Sequence, residues 1–247
     1  MRLDVFFTPN QVKVPDTQGR LVIIVDVLRA STTVATALGN GAKTVIPLEG
    51  PDEVISRSKE FARSQTLLAG EQKMHPISGF DLGNSPQAFT PEVVEGKTIL
   101  ITTTNGTRAL LGVQGARDIV IASYVNFTAV LAMMKVAASS DTDIAIICAG
   151  EEGSFTLEDA ACAGRYVRAI PKRAGVAIND AAAASVLIEK KYGDNIAKVF
   201  KESTHGQALQ SAGFGDDLAA AAEVDAYPVV PIYQDRQITK LGPERER

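Results

Sequence analysis

The stretch from Ile23 to Leu38, IIVDVLRASTTVATAL, decides the fold because it passes directly from a strand to a helix. Its apolar beginning, with the LV before it, is hydrophobic on both faces, which is typical of a parallel strand covered by helices on both sides. Ser31, Thr32 and Thr33 are hydroxyl residues that favour the start of a helix. The junction between the two elements also contains one Asp and one Arg, which follow the hydrophobic strand directly.

The same alternation of strands and helices runs along most of the chain. Further β-branched runs predict strands at LDVFF, KTVIPL, TLLAG, KTILITT, RDIVIAS, TDIAIICAG and YPVVPIY. Helical segments lie between them, among them PDEVISRSKEFARSQ, which has proline at its start and acidic residues in its first turn. This alternation predicts an α/β fold, a three-layer α/β/α sandwich with a largely parallel central sheet.

The region 179–224 differs because it is rich in alanine and is predicted to form consecutive helices. This Ala-rich helical C-terminal region could form a helical cap over the sheet. The following segment, VVPIYQDRQITKL, predicts two short strands that are joined by a polar turn and close an edge of the sheet. No long linker interrupts the sequence, so residues 1–247 are predicted to form a single α/β domain.

The composition argues against several classes of protein. The 247 residues are 45% hydrophobic and 22% charged with a net charge of −4, which is ordinary for a globular protein. The chain has no basic cluster and no Trp, so nucleic acid is a poor candidate partner. No apolar run reaches about 18 residues, and the first residues are too polar for a signal peptide, so no membrane span or secretion is expected. Cys148 and Cys162 are expected to be reduced core thiols, which favours a cytoplasmic protein.

The first junction, which we define as residues 26–33, has the features of an anion site. Free backbone N–H groups at a helix start attract an anion, and Arg29 can add a two-pronged contact to phosphate oxygens. Asp26 cannot bind an anion directly, and its presence makes sense if a metal ion lies between carboxylate and anion. The alternative is a capped helix in which Asp26 forms an ion pair with Arg29.

The second junction, which we define as residues 102–110 (TTTNGTRAL), has the same kinds of residue. Thr103 and Thr104 supply hydroxyl groups, and Asn105 and Gly106 favour a tight turn. Arg108 comes about one turn into the predicted helix. The segment is not a Walker loop, and an ordinary capped helix is the alternative to an anion site.

Carboxylates follow two further predicted strands. Glu71 ends the strand TLLAG, and the long loop after it holds Asp81. Glu158 and Asp159 follow DIAIICAG, where a helix cap would account for two of four nearby acids. Oxygen ligands at strand ends suit Mg²⁺, whereas the chain lacks His and Cys pairs at zinc spacing. Metal-assisted phosphoryl chemistry is the simplest account of these features.

Five motifs stand in one order along the chain: VDVLRASTT, GFDLGNSP, TTTNGTRAL, CAGEEGSFTLEDAACAG and STHGQAL. Together they resemble the 2-phosphosulfolactate phosphatase family, the phosphatases of coenzyme M biosynthesis. The resemblance implies a Mg²⁺-dependent phosphatase that cleaves 2-phospho-3-sulfolactate to 3-sulfolactate and phosphate. The chain departs from the family at Gln72, where the family typically has an arginine that could hold phosphate or sulfonate. This departure leaves the physiological substrate open.

The motifs and the resemblance together predict the site. The catalytic candidates are Asp26, Arg29 and Arg108. The candidates for substrate binding are Ser31, Thr32, Thr103, Thr104, Asn105 and Gly106. The candidates for binding Mg²⁺ are Asp26, Glu71, Asp81, Glu158 and Asp159.

The sequence leaves three questions open. The D-x-D motif of haloacid-dehalogenase phosphatases is missing after Asp26, so analogy with those enzymes does not support Asp26 as the nucleophile. The nucleophile is either water or Asp26. A second hypothesis is a non-catalytic protein that binds a phosphorylated or sulfonated metabolite, because Gln72 replaces an arginine and no general base stands out. The oligomeric state is also open, with a homodimer as one possibility.

Overall fold

The computed structural model describes residues 1–171 and 176–242. The strands are β1 (Arg2–Phe6), β2 (Leu21–Val25), β3 (Thr44–Pro47), β4 (Thr66–Gln72), β5 (His75–Pro76), β6 (Thr98–Thr102), β7 (Asp118–Ala122), β8 (Ile144–Cys148), β9 (Ala177–Ile178), β10 (Pro231–Gln234) and β11 (Gln237–Lys240). The α-helices are α1 (Val14–Thr17), α2 (Ala30–Gly39), α3 (Pro51–Ser58), α4 (Pro91–Val94), α5 (Gly106–Leu111), α6 (Phe127–Ser139), α7 (Leu157–Ala169), α8 (Asp180–Tyr192), α9 (Ile196–Glu202), α10 (Thr204–Ser211) and α11 (Gly215–Ala222).

The strands form one large sheet in the order β5-β4-β6-β3-β11-β10-β7-β2-β8-β1-β9. Most neighbours are parallel, including β2 with both β7 and β8. The antiparallel strands are β5 at one edge and the hairpin of β10 and β11. The predicted α/β fold with a largely parallel central sheet is confirmed.

The hairpin of β10 and β11 does not close an edge of the sheet, as the sequence predicted. It lies inside the sheet, where Ile232 of β10 is opposite Val120 of β7 and Ile238 of β11 is opposite Val45 of β3. Without the hairpin, the backbone N–H and C=O groups of β3 and β7 that face each other would have no hydrogen-bond partners. The hairpin strands pair with β3 and β7 and supply those partners.

Alternate residues of β2 enter two separate cores. Leu21, Ile23 and Val25 pack in a core with side chains of α6, α7 and the C-terminal helices. Val22 and Ile24 pack in the opposite core with α2 and α5. A strand that is buried on both faces in this way requires a helical layer on each side of the sheet.

The Ala-rich region 179–224 contains α8 to α11. Helix α8 packs closely on α7, since a Cβ atom at Gly164 would lie only 2.0 Å from the carbonyl oxygen of Ser185. Helices α9 to α11 continue the core that Leu21 enters. The single-domain organisation stays a prediction.

The two cysteines and the helices can be compared with what the composition predicts. Cys148 and Cys162 are buried free thiols, as expected. Among the helices of residues 1–171 and 176–242, none has the length and apolar character needed to cross a lipid bilayer.

Candidate active site

A cavity of about 1020 Å³ opens at the carboxyl ends of the parallel strands. Its wall includes Asp26 after β2, Glu71 of β4, residues 103–105 after β6, Glu151 after β8 and His205 of α10. Parallel strands point their carboxyl ends at the same edge of a sheet, which is where α/β proteins bind ligands. The topology therefore brings together polar residues that are far apart in the sequence.

Asp26 is held by the start of α2. Its carboxylate Oδ1 accepts a hydrogen bond from Ala30 N at 3.1 Å, and its own N–H donates to Ser31 Oγ at 2.9 Å. Gly106 packs against it, because a Cβ atom there would lie 2.8 Å from Asp26 Oδ2. The first and second junctions therefore touch at Asp26, and only glycine allows this approach.

Arg29 is buried at the wall of the same cavity and is held on three sides. Its guanidinium donates from Nη1 to Asp217 Oδ2 and from Nη2 to the Met74 carbonyl oxygen, each at 2.7 Å. Its Cζ atom lies 4.3 Å from the centre of the Phe214 ring. The alternative in which Asp26 is the ion-pair partner of Arg29 is wrong, since Asp217 of α11 takes that position.

His205 and Glu158 form a buried pair beside Asp26. His205 Nδ1 lies 3.1 Å from Glu158 Oε1, and Glu158 Oε2 is buried without a hydrogen-bond partner in the part of the chain that the structure describes. Burial lowers the pKa of His205, but the hydrogen bond to Glu158 and the charges of Glu158, Glu151 and Asp26 together raise it to about 9. The imidazole therefore carries a positive charge at neutral pH.

The carboxylates around the cavity repel one another. Burial raises the pKa of Asp26, the charge of His205 and the Ala30 N–H lower it, the charges of Glu71 and Glu158 raise it, and the net result is a pKa of about 6. Burial also raises the pKa of Asp159 well above its usual range, helped by the charges of Asp26 and Glu158. Clustered buried carboxylates of this kind favour a cation among them.

The carboxylates near the cavity are oxygen donors, the kind of ligand that Mg²⁺ takes. Across residues 1–171 and 176–242, no three His, Cys, Asp or Glu side chains are arranged to bind one metal ion. Mg²⁺ is commonly held by one or two carboxylates, with waters and substrate phosphate completing its shell. Asp26 lies on the wall and supplies one such carboxylate, while Glu158 is buried behind the wall, where its Oε2 has no hydrogen-bond partner among the described residues.

The second junction supplies a further part of the wall through Thr103, Thr104 and Asn105. The backbone N–H of Thr104 donates to Glu71 Oε1 at 2.8 Å, and Asn105 Oδ1 accepts from the N–H of Glu152 at 2.9 Å. Glu71 Oε2 accepts from Met74 N at 3.0 Å, so both of its oxygens are used in ordering two loops.

Comparison with known proteins decides the family. The family model for 2-phosphosulpholactate phosphatase matches residues 6–236. The chain belongs to this family. It is 38% identical to a protein of Caldanaerobacter subterraneus over 94% of this chain and 95% of that one. It is 39% identical to a protein of Symbiobacterium thermophilum over 90% of this chain and 95% of that one, and 35% identical to a protein of Trichormus variabilis over 97% and 99%.

These three relatives are each named "Probable 2-phosphosulfolactate phosphatase". Membership of the family confirms the resemblance that the five motifs indicate. It also confirms the prediction of a phosphoric monoester hydrolase, because that is the class to which the family's name refers.

The structure places Arg108 in a cavity next to the one that Arg29 lines. As the third residue of α5, Arg108 has an exposed side chain, and it lines a second cavity of about 530 Å³. The two cavities adjoin, because both include Glu71, Gln72, Thr103 and Thr104 in their walls. Of the two arginines, only Arg29 lines the larger cavity. This arrangement does not support the prediction that both arginines face one phosphoryl group.

Asp81 was predicted to bind Mg²⁺, and the structure uses its carboxylate elsewhere. One oxygen accepts a hydrogen bond from Arg63 Nη2 at 2.5 Å and the other accepts from Leu68 N at 2.8 Å. These bonds fasten the loop after β5 to β4. Asp81 is therefore a structural residue of that loop.

Four more predicted site residues act inside the scaffold behind the wall. Asp159 accepts hydrogen bonds from Val27 N at 2.8 Å and Gly150 N at 3.1 Å, which joins the loops after β2 and β8. Thr32 Oγ1 donates to the Val27 carbonyl oxygen at 2.7 Å. Ser31 and Gly106 hold and contact Asp26, as described above. These residues hold the wall residues in place but do not themselves line the cavity.

Several residues of the wall have no role predicted from the sequence, among them Leu28, Gln72, Lys73, Met74, His75, Asn84, Glu151, Glu152 and His205. His205 and Asn84 lie within the motifs STHGQAL and GFDLGNSP, so the motifs did carry a signal for them. Asn84 Oδ1 is buried and has no hydrogen-bond partner among the described residues. Lys73 and Met74 both have positive φ and form the turn between β4 and β5, which no glycine in the sequence signals.

Proposed function

We propose that this protein is a Mg²⁺-dependent phosphatase that hydrolyses 2-phospho-3-sulfolactate, or a related small phosphorylated acid, to 3-sulfolactate and phosphate. The observation that carries the proposal is the meeting of Arg29, Asp26 and His205 at one cavity, with Glu158 bonded to His205 behind the wall. The names of the relatives support the substrate class.

Arg29 binds the phosphoryl group. It donates one hydrogen bond from Nη1 and one from Nη2 to protein atoms, and a guanidinium has five N–H donors in all. The remaining donors are available to phosphoryl oxygens. A fixed, buried cation of this kind stabilises the charge on the equatorial oxygens as the phosphoryl group is transferred.

Asp26 and Glu158 would hold Mg²⁺, which offsets phosphoryl charge and orients the substrate when it is bound. The repulsion among the buried carboxylates supports this assignment, because a cation would relieve it. Glu158 Oε1 is oriented by His205, so Oε2, which has no hydrogen-bond partner among residues 1–171 and 176–242, is the atom that remains for the ion.

His205 holds the proton that the leaving group needs. In the charged imidazole both ring nitrogens carry protons, and Nδ1 is used by Glu158. Nε2–H then remains for the cavity, where it can protonate the alkoxide oxygen as the P–O bond breaks. Water attacks phosphorus in line on the opposite side, or the Asp26 carboxylate attacks first and water then hydrolyses the aspartyl phosphate, so that phosphate is released and the carboxylate is restored.

The test is phosphate release by the purified protein from 2-phospho-3-sulfolactate in Mg²⁺, and again after EDTA. Phosphorylated lactate without the sulfonate serves as the matched substrate. We expect release in Mg²⁺ that EDTA abolishes and that Mg²⁺ restores. Saturable binding without release in Mg²⁺ would instead support the non-catalytic binding protein.

Some finer features remain predictions. A role in coenzyme M biosynthesis depends on 2-phospho-3-sulfolactate being the substrate that this assay prefers. The cytoplasmic location, the absence of a nucleic-acid partner and the homodimer also await measurement.

A further inference from the structure

Asp217 of α11 is joined to the cavity although it lies 188 residues from Arg29 in the sequence. Its Oδ2 accepts the hydrogen bond from Arg29 Nη1, and its Oδ1 accepts from Ser85 Oγ at 2.5 Å. The side chains of Arg29 and Asp217 are each only 3% exposed. Both oxygens of this carboxylate therefore have defined partners in a dry environment.

Helix α11 is itself fixed at this place. Gln87 Nε2 donates to the Asp216 carbonyl oxygen at 2.9 Å, and the Phe214 ring just before the helix lies under the Arg29 guanidinium. The ion pair, the Ser85 hydrogen bond and the aromatic ring together define the plane of that guanidinium. A planar fork that is fixed in this way loses little freedom when it binds an anion.

A structural role alone is a poor account of this pair. Desolvating two charges costs free energy, and apolar side chains of similar volume stabilise a fold as well or better. The cost is understandable if the arginine must remain charged and oriented for a ligand. Groups that orient a ligand-binding side chain have this arrangement in many sites.

We infer that Asp217 is a positioning residue that orients the Arg29 guanidinium for the phosphoryl group of the substrate. Asp217 acts through Arg29 and does not itself touch the substrate. This inference rests on the proposed function, because Arg29 is the residue that binds the phosphoryl group there.

The experiment compares Asp217→Asn with the wild type in KM, in kcat and in the Kd for inorganic phosphate measured by calorimetry. We expect KM and the phosphate Kd to rise roughly 10- to 100-fold, as is typical when a supporting partner is removed. The Mg²⁺ concentration for half-maximal activity should stay unchanged, because Asp26 and Glu158 are intact.

Glu189→Gln is the matched control. Glu189 is also a 3% exposed carboxylate in the C-terminal helices, and it pairs with Arg168 at 2.7 Å away from the cavity. Both variants are expected to lower the melting temperature, and only Asp217→Asn should change KM and the phosphate Kd. Equal effects of the two variants on KM, or none from Asp217→Asn, would overturn the inference.

Ser85→Ala keeps the inference testable if Asp217→Asn does not fold. It leaves the ion pair and removes the hydrogen bond that orients Asp217, so we expect a smaller rise in KM and phosphate Kd. An unchanged KM and Kd in Ser85→Ala would then count against the inference. If the wild type binds phosphate but releases none from the substrate, the proposed function fails, and the phosphate Kd values still test the role of Asp217.

Discussion

His205 Nδ1 lies 3.1 Å from Glu158 Oε1, so a residue of α10 and one of α7 form a buried ion pair beside the cavity. The pair joins the Ala-rich C-terminal region to the carboxyl edge of the sheet. It also makes the site depend on pH, because the charge on His205 changes over an accessible range.

The first prediction concerns stability against pH in EDTA. The pKa of His205 is raised to about 9 in the folded protein from 6.5. Its contribution to the free energy of unfolding is therefore complete below about pH 6.5 and is lost as pH rises through about 9. The shift corresponds to a contribution on the order of 3 kcal/mol.

Urea unfolding at a series of pH values checks this for the wild type and His205→Asn. We expect the stability difference between them to be largest near pH 6 and to shrink toward pH 9 and above. A difference that does not vary with pH between 6 and 9 would show that the pair is not ionic.

The second prediction is that Asp26→Asn abolishes turnover and weakens Mg²⁺ binding while the fold survives. The change is isosteric, and it removes a buried carboxylate whose pKa burial raises to about 6, so the melting temperature should not fall. Turnover, Mg²⁺ calorimetry and melting temperature are the measurements. Asp81→Asn is the control, since Asp81 fastens a loop outside the cavity.

The results of Asp26→Asn also separate two roles. Near-normal activity would exclude Asp26 from the reaction. Intact Mg²⁺ binding with no turnover would make Asp26 the nucleophile instead of a metal ligand.

The third prediction separates the two arginines. Arg29→Gln should lose on the order of 2–4 kcal/mol of transition-state stabilisation, or roughly 30- to 1000-fold in kcat/KM. Arg29→Lys should recover part of this, because it keeps the charge but not the planar fork. Arg108→Ala should change kcat/KM far less, because Arg108 lines the neighbouring cavity. A loss in Arg108→Ala as large as that in Arg29→Gln would mean that the substrate extends across both cavities.

The fourth prediction tests the contact between the two junctions. In Gly106→Ala the new Cβ would lie 2.8 Å from Asp26 Oδ2 and 2.7 Å from Ala30 Cβ, so the two junctions must move apart and the position of Asp26 relative to α5 must change. We expect a lower kcat and weaker Mg²⁺ binding. Gly50→Ala is the control, because nothing lies within 4 Å of a Cβ at Gly50. Unchanged kinetics in Gly106→Ala would show that the position of Asp26 is not critical.

Much of the site was predictable wherever it depends on local pattern. Asp26, Glu71 and residues 103–105 directly follow or end apolar strands, and parallel strands bring such positions to one edge. The direction of a side chain was harder to predict. Arg108 and Asp81 fall within the right motifs, but Arg108 lines the adjoining cavity and the Asp81 carboxylate is bonded to Arg63 and Leu68.

The sequence by itself determined the strand–helix alternation, the buried strands, the polar junctions that follow them and the family. These features depend on residues that are neighbours in the chain, where periodicity, capping and turn chemistry act. Tertiary structure alone decided that the C-terminal hairpin enters the sheet between β3 and β7. It also decided that Arg29 pairs with Asp217, 188 residues away in the sequence, and that Glu158 pairs with His205, 47 residues away. The packing of α10 and α11 against the sheet determines these partners. A buried charge is stabilised by an opposite charge that packing places next to it, whatever the separation of the two residues in the sequence.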